Sequence, residues 1–298
     1  MNLKRTLCCF TYLSLSIGSV NLQAQTLQPA LQNIREVTSG NMEYSSPVWS
    51  PDGQKLLFTD HHNDALYITE IAGNGSVQKI KEGQGIGYKA RWTPDSKSVI
   101  FYEQQTTVTG SRALVEKSID VKGGRERVLS EDKSATANRS FSARKSPSLK
   151  VYINPETLKL EARVGNGTPW VITPEEGQFY SPLISPDGKK VVVSEGANMY
   201  LYSIDGKGKR KNLGVGLPSS WLPDGSGILT FEDESKDGHE ISGSELYHIA
   251  ISNSAKTKLT NTLDRIEMWA DVSPDGKKIA FSDEKTGKIY VADLKIKK

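Results

Sequence analysis

The feature that most constrains this chain is a tetrapeptide that keeps returning: Ser50-Pro51-Asp52-Gly53, Thr93-Pro94-Asp95-Ser96, Ser185-Pro186-Asp187-Gly188, Leu222-Pro223-Asp224-Gly225 and Ser273-Pro274-Asp275-Gly276, with a weaker copy at Lys145-Ser146-Pro147-Ser148. Counted from Asp to Asp, with Ser148 as the marker of the weak copy, the intervals are 43, 53, 39, 37 and 51 residues. A four-stranded propeller blade has a period of ~40–45 residues. Each copy spells a tight turn: Pro fixes φ at the first central position, Asp bonds its own backbone, and Gly takes a positive φ.

Strand-like runs surround every turn. Before it stand short segments such as Pro47-Val48-Trp49, and after it β-prone runs such as Lys55-Leu56-Leu57-Phe58-Thr59 and Lys278-Ile279-Ala280-Phe281-Ser282. Third strands are expected at Leu66–Thr69, Met199–Tyr202, Glu245–His248 and Ile289–Ala292, and fourth strands at Val77–Ile80, Pro169–Ile172 and Lys256–Leu259. No segment of useful length has a helical period. Six turns predict an all-β, six-bladed propeller of four-stranded antiparallel blades. The last turn is followed by only two strands, while Ile34-Arg35-Glu36-Val37-Thr38 stands alone before the first, so the N-terminal strand is expected to close the ring on the last blade.

Residues 1–24 read as a secretory signal: Lys4 and Arg5 are the basic start, Leu7 to Val20 the apolar stretch, and Leu22-Gln23-Ala24 a cleavage site. Residues 25–32 are then a short lead and 33–298 the propeller. Both cysteines, Cys8 and Cys9, fall inside the signal, so the mature chain has no disulfide, thiolate or Cys-ligated zinc chemistry. Removing Lys4 and Arg5 from 38 basic and 35 acidic residues leaves a net charge of +1. Its charges are interspersed, with only Lys207-Gly208-Lys209-Arg210-Lys211 as a short basic run, which argues against nucleic acid. No later segment reads as a membrane span, so a soluble exported protein is expected, periplasmic before extracellular.

The pattern Pro-x-Trp-Ser-Pro-Asp-Gly-x-x-Leu-Leu-Phe, with Leu-Tyr or Ile-Tyr downstream, resembles the PD40 (WD40-like) repeats of TolB-like six-bladed β-propellers over about residues 33–298. Similar propellers occur in periplasmic TolB, in prolyl-oligopeptidase-like peptidases and in oligogalacturonate-lyase-like enzymes, so the resemblance implies the fold more than a function. TolB proper carries an α/β domain ahead of its propeller. Only about ten residues separate Ala24 from the first expected strand, so a TolB-like propeller is expected rather than TolB itself.

Eight residues after each marker stand Asp60, Glu103, Glu195, Glu232 and Asp283, with Asn154 near the corresponding place in the third blade. These acids should gather on one rim, as a field for a cation or cationic peptide or simply as polar strand ends. His61 and His62 follow Asp60, and His239 lies in a long loop with Asp233, Asp237 and Glu240; together they could hold a divalent cation, although no fixed ligand spacing supports it. Trp49, Trp92 and Trp221 share the position three before the marker and read as inter-blade core. Trp269 breaks that register and could be a platform at the channel mouth, near Tyr44, Tyr88 and Tyr180, or a packing residue. Arg91, Arg144 and Asp271 stand four before the marker, where other blades have Val48, Leu183 and Ser220, and are expected to face the channel or pair across it.

No Gly-x-Ser-x-Gly elbow, appended hydrolase domain or phosphate-binding loop is found. The expectation is a non-catalytic exported propeller that binds a protein or peptide partner of the cell envelope through its rim and channel mouth. The alternative is a carbohydrate-active or glycan-binding propeller, metal-assisted through the His and carboxylate rim.

Overall fold

The computed structural model describes residues 30–73, 75–106, 112–132, 139–140 and 149–296. The signal segment, Arg144 and the weak turn at Lys145–Ser148 lie outside them. The described residues form six four-stranded antiparallel sheets and no α-helix.

The chain opens with β1 (Leu31–Glu36). Blade 1 follows as β2 (Tyr44–Trp49), β3 (Lys55–Asp60), β4 (Ala65–Glu70) and β5 (Val77–Glu82). Blade 2 is β6 (Arg91–Trp92), β7 (Ser98–Thr106), β8 (Arg112–Asp120) and β9 (Glu126–Asp132). Blade 3 is β10 (Arg139–Ser140), β11 (Leu149–Ile153), β12 (Leu160–Val164) and β13 (Trp170–Val171), and blade 4 is β14 (Phe179–Ile184), β15 (Lys190–Glu195), β16 (Asn198–Ser203) and β17 (Lys211–Val215). Blade 5 is β18 (Leu217–Trp221), β19 (Gly227–Ser235), β20 (Ile241–Ala250) and β21 (Lys256–Lys258). Blade 6 has only β22 (Glu267–Val272), β23 (Lys278–Asp283) and β24 (Lys288–Leu294) from its own stretch of chain, and β1 supplies its fourth strand.

Closure is antiparallel, with Leu31 opposite Leu294 and Glu36 opposite Tyr290. The strand begins at Leu31, three residues before the expected start at Ile34. Asn33 takes a left-handed φ of 53° and shifts the register, so Leu31 and Val37 are buried while Ile34 faces outward. The Arg35 guanidinium then donates to the Ile71 carbonyl of blade 1 at 2.8 Å, tying the closing strand to the next blade.

The five described marker turns share one plan. Ser50 Oγ donates to Asp52 Oδ1 at 2.6 Å, the same oxygen accepts the Gln54 N–H, and Gly53 takes a φ of 71°. Ser185–Asp187 and Ser273–Asp275 repeat the hydroxyl contact at 2.6 Å, and Thr93 serves Asp95 likewise. Leu222 has no hydroxyl, and in that blade Ser226 Oγ supplies the bond to Asp224 from the other side. These hydroxyl and amide donors hold Asp95, Asp187 and Asp275 below the usual carboxylate range.

Neighbouring blades meet through apolar clusters at five of the six seams, those between blades 1 and 2, 3 and 4, 4 and 5, 5 and 6, and 6 and 1. Phe58, Phe101, Phe231 and Phe281 are among the largest fully buried side chains, each stabilising the fold by roughly 2–3 kcal/mol. Trp92 Nε1 donates to the Val48 carbonyl at 3.1 Å and Trp221 Nε1 to the Leu183 carbonyl at 3.0 Å, so these two tryptophans bond the inner strand of the preceding blade, whereas the buried Trp49 indole has no such partner among the described residues. The seam between blades 2 and 3 is polar where it is described: Glu116 of β8 lies 3.7 Å from Lys150 of β11.

Replacing Trp221 by Phe keeps the packing but leaves the Leu183 carbonyl without its donor. It is expected to lower stability by about 1–2 kcal/mol in urea unfolding with an unchanged m value. Deleting residues through Glu36 is expected to cost far more and to yield associating protein in sedimentation, because β24 becomes an open edge.

Candidate functional site

The strand order gives the ring two unlike faces. The marker turns occupy one, the turn face. The other, the loop face, carries the connections between second and third strands and the entries to the six inner strands around the channel mouth.

Those inner strands share an irregularity. Pairing slips by one residue between Ser45 and Val48, Tyr180 and Leu183, Pro218 and Ser220, and Met268 and Asp271. Six residues before the marker, Ser46, Lys89, Ser181 and Trp269 have left-handed φ values of 56°, 57°, 50° and 53°. Blade 5 has Pro218 there, whose ring forbids that conformation. Such a backbone costs about 1–2 kcal/mol per non-glycine residue, and for a tryptophan it is a true outlier. Strain repeated at one register around the mouth marks this ring as the best candidate site.

Trp269 is 38% exposed, and its indole stands edge-on to Phe231 of blade 5 with ring centroids 4.9 Å apart. Lys89 is half-buried, with Nζ 5.3 Å from the centre of the exposed Tyr88 ring, and burial lowers its ammonium to about 8. Two positions further on, Asp271 joins three blades. Its Oδ2 accepts the Trp49 N–H of blade 1 at 2.8 Å, and its Oδ1 accepts the Ser220 hydroxyl of blade 5 at 2.6 Å. Arg91 pairs with Glu116 of its own blade, which also accepts the Tyr102 hydroxyl at 3.1 Å. It therefore belongs to the polar seam with blade 3 instead of pairing across the channel, because the nearest buried carboxylate lies beside it.

The acids eight after the marker do reach the loop-face ends of their strands, each engaged locally. Asp60 accepts the Asp64 N–H at 2.7 Å, Glu103 and Glu232 pair with Lys117 and Lys256, and Glu195 meets Arg210 at 2.7 Å. Asp283 is buried and accepts from the Ile266 and Lys285 amides and the Thr286 hydroxyl. Strand ends are thus closed by salt bridges and loop amides.

His61 Nδ1 lies 3.3 Å from Glu284, which also accepts the Ser45 and Ser282 hydroxyls at 2.7 and 2.6 Å, so it joins a polar knot at the seam of blades 6 and 1. His62 has only its ring neighbour His61, 6.3 Å away. Among the described residues no group of three or more His, Cys, Asp or Glu is placed to hold a metal ion. His248 is buried and its Nε2 fills the space where a Cβ on Gly227 would sit.

The expected loop around His239 is mostly a ribbon. β19 and β20 stay paired to Ser235 and Ile241, leaving a short tip where Asp237 Oδ1 accepts the His239 and Glu240 amides at 2.9 and 3.0 Å. Asp233 and Glu240 are exposed on it, and His239 lies at its tip in blade 5, whereas His61 and His62 follow β3 in blade 1. In blade 2, β7 and β8 are extended equally, paired from Ser98 to Thr106. Both hairpins run three residues beyond the Asp60, Glu195 and Asp283 ends, roughly 10 Å further out. They stand three blades apart, on opposite sides of the mouth.

No family model matches the sequence, and no curated protein matches it. Solved structures do. The putative TolB of Agrobacterium tumefaciens superposes with a TM-score of 0.60 at 16% identity, over 88% of this chain and 97% of that one. The fold is that of the TolB-like six-bladed propellers. TolB of Acinetobacter baumannii gives 0.53 at 15% identity over 86% of this chain and 65% of its own, and an oligogalacturonate lyase in complex with manganese gives 0.52 at 15% over 88% and 93%. No helix among the described residues is long and apolar enough to cross a membrane.

The left-handed ring carries no distinguishing spelling and was hidden from sequence, whereas Trp269 stood out by register. Glu267 was findable by the reasoning that picked Asp271: it stands eight before its marker, where other blades have Tyr44 and Phe179.

Two outcomes test this geometry. Asp271→Asn turns one acceptor towards a donor and is expected to cost about 2 kcal/mol, with Ser220→Ala coupled to it in a double-mutant cycle. Because Lys89 has an ammonium near 8, limiting acetylating reagent at pH 8 is expected to modify it ahead of the ordinary lysines, as read by peptide mass spectrometry.

Proposed function

We propose that the protein is exported to the cell envelope and there binds an extended segment of a protein or peptide partner at its channel mouth, without chemistry of its own. The observation that carries this reading is the ring of left-handed residues around the mouth, which places a partly exposed tryptophan there in a strained backbone conformation. The two long hairpins raise the wall on opposite sides, which suits a segment laid across the mouth between them. Half-buried Lys89, exposed Tyr88 and Trp269, and the hydroxyls of Ser46 and Ser181 offer one cation, two aromatic faces and small polar groups. Aromatic anchors of this kind dominate binding energy at protein interfaces. Export rests on the signal-like residues 1–24 and on the TolB-like resemblance. A glycan is the second reading, favoured by the exposed indole as a stacking surface.

The test places a photo-crosslinking amino acid at Trp269 of the full chain in cells and, as a control, at Lys189 on the turn face. Adducts with one envelope protein from position 269 and none from 189 support the reading; equal or absent adducts overturn it. Purified Trp269→Ala is expected to lose at least tenfold in affinity for that partner while keeping its unfolding midpoint within about 2 °C. Retention on an acidic or neutral glycan panel, abolished by the same substitution, would establish the glycan instead.

A further inference from the structure

Two carboxyls meet inside the seam between blades 5 and 6, just below the mouth. Glu267 is fully buried at the start of β22, two residues before Trp269. Glu245 comes from β20. Thr262, in the chain leading to β22, holds both: its hydroxyl donates to Glu267 Oε1 at 2.8 Å and its N–H to Glu245 Oε1 at 3.1 Å. The second oxygen of each carboxyl, Oε2, is buried and has no hydrogen-bond partner among the described residues. Two buried acceptors without donors, on two acids bridged by one residue, are short of positive charge or of protons.

The surroundings do not supply the deficit. From β21, Lys258 Nζ reaches Glu245 Oε1 at 3.3 Å but makes no contact with Glu267. Arg265 acts on Glu267 at a distance, its guanidinium lying over the Tyr290 ring at 4.7 Å. From β23, Asp283 stands opposite Glu267 in register, and its oxygens already accept from Ile266, Lys285 and Thr286. Glu232, opposite Glu245, is paired with Lys256.

We propose that Glu267 is a proton-operated latch on this seam: protonated, it lets blades 5 and 6 close beneath Trp269, and ionised, it loosens them. The backbone at the site is the stitch itself. Ser244 Oγ of β20 donates to the Glu267 carbonyl at 2.8 Å, and Ser244 bridges Ile266, whose carbonyl accepts the Glu284 N–H at 2.9 Å. A charge created at Glu267 therefore acts on the residues that join the two blades and set the strained backbone of Trp269. Burial pushes the Glu267 carboxyl up to about 7 against the opposing Thr262 bond, and the Glu245 charge adds to the rise.

The sign follows from linkage. A carboxyl raised in the fold binds more protons there than in the unfolded chain. Its support is complete below the unfolded value near 4.3 and is lost as pH climbs to about 7. The latch operates in the free protein and does not depend on what the mouth binds.

The experiment follows urea unfolding of the full chain from pH 5 to 8, together with the fluorescence of Trp269 obtained as the difference between wild type and Trp269→Phe. Relative to Glu267→Gln, wild type is expected to lose roughly a hundredfold in its folding constant over that range, with the Trp269 signal titrating near pH 7; the opposite contribution of buried His248, whose value burial lowers, cancels in that difference. Glu267→Gln, nearly isosteric, should remove most of the fall, be more stable than wild type at pH 8 and leave Trp269 silent to pH. Glu245→Gln should move the titration midpoint down, which keeps the test alive if the first variant does not fold. A difference between wild type and Glu267→Gln that is flat or rises with pH, or an unmoved midpoint in Glu245→Gln, would overturn the latch. So would millimolar calcium abolishing the pH dependence in a chelator-reversible way, since the missing charge would then be a metal's.

Discussion

A four-stranded blade has two faces, and neither is covered until another blade lies against it. That requirement can be met everywhere only if the blades return to their starting point, so the structure depends on the seam where β1 joins β24. Leu31 and Val37 carry the apolar part of that seam, Arg35 carries a polar tie to blade 1, and the Asn33 bulge allows both by turning the strand halfway along. Of the tryptophans three before the marker, Trp92 and Trp221 then act as spacers between inner strands, each bonding back through its indole to the blade before it.

The inner strands have a second task, which is to bend round the channel. One extra residue in each of β2, β14, β18 and β22, left-handed in three of them, supplies the bend, and its cost falls on the residues that surround the mouth. Packing strain and ligand access are therefore concentrated at the same level. Asp271 shows how the level below is held: one carboxylate, accepting from blade 1 and blade 5 at once, does what a pair of apolar side chains does at Val48 and Leu183.

The repeat made most of the architecture legible. A turn whose spelling follows from φ at Pro and Gly, and from Asp bonding its own backbone, recurs at the blade period, and local turn chemistry was enough to place strands, blade number and closure. Side-chain partners across seams were not legible, because they depend on blade-to-blade distances that no single repeat encodes. Arg91 turned to Glu116 within its own blade, and Glu103, Glu195 and Glu232 found lysines or arginines on neighbouring strands. The His239 segment read as a loop because its Ser, Gly and acidic residues lack strand propensity. Pairing with β20 overrode that composition and made it a ribbon.

Closure by the first strand also fixes an order of events. Asn33 and Asp293 share a hydrogen bond across 260 positions of sequence, almost the full length of the propeller. Loop-closure entropy is charged in full before such a contact gives anything back, which slows folding. Blades 1 to 5 can each form from neighbouring segments, whereas β1 emerges at the start of synthesis and has nothing to pair with until β24 exists. For that whole interval the protein carries an unmatched strand at one end and an unmatched edge at the other, and intramolecular closure competes with capture by a second molecule. Folding yield should therefore depend on protein concentration even though the finished ring has no open edge at this seam.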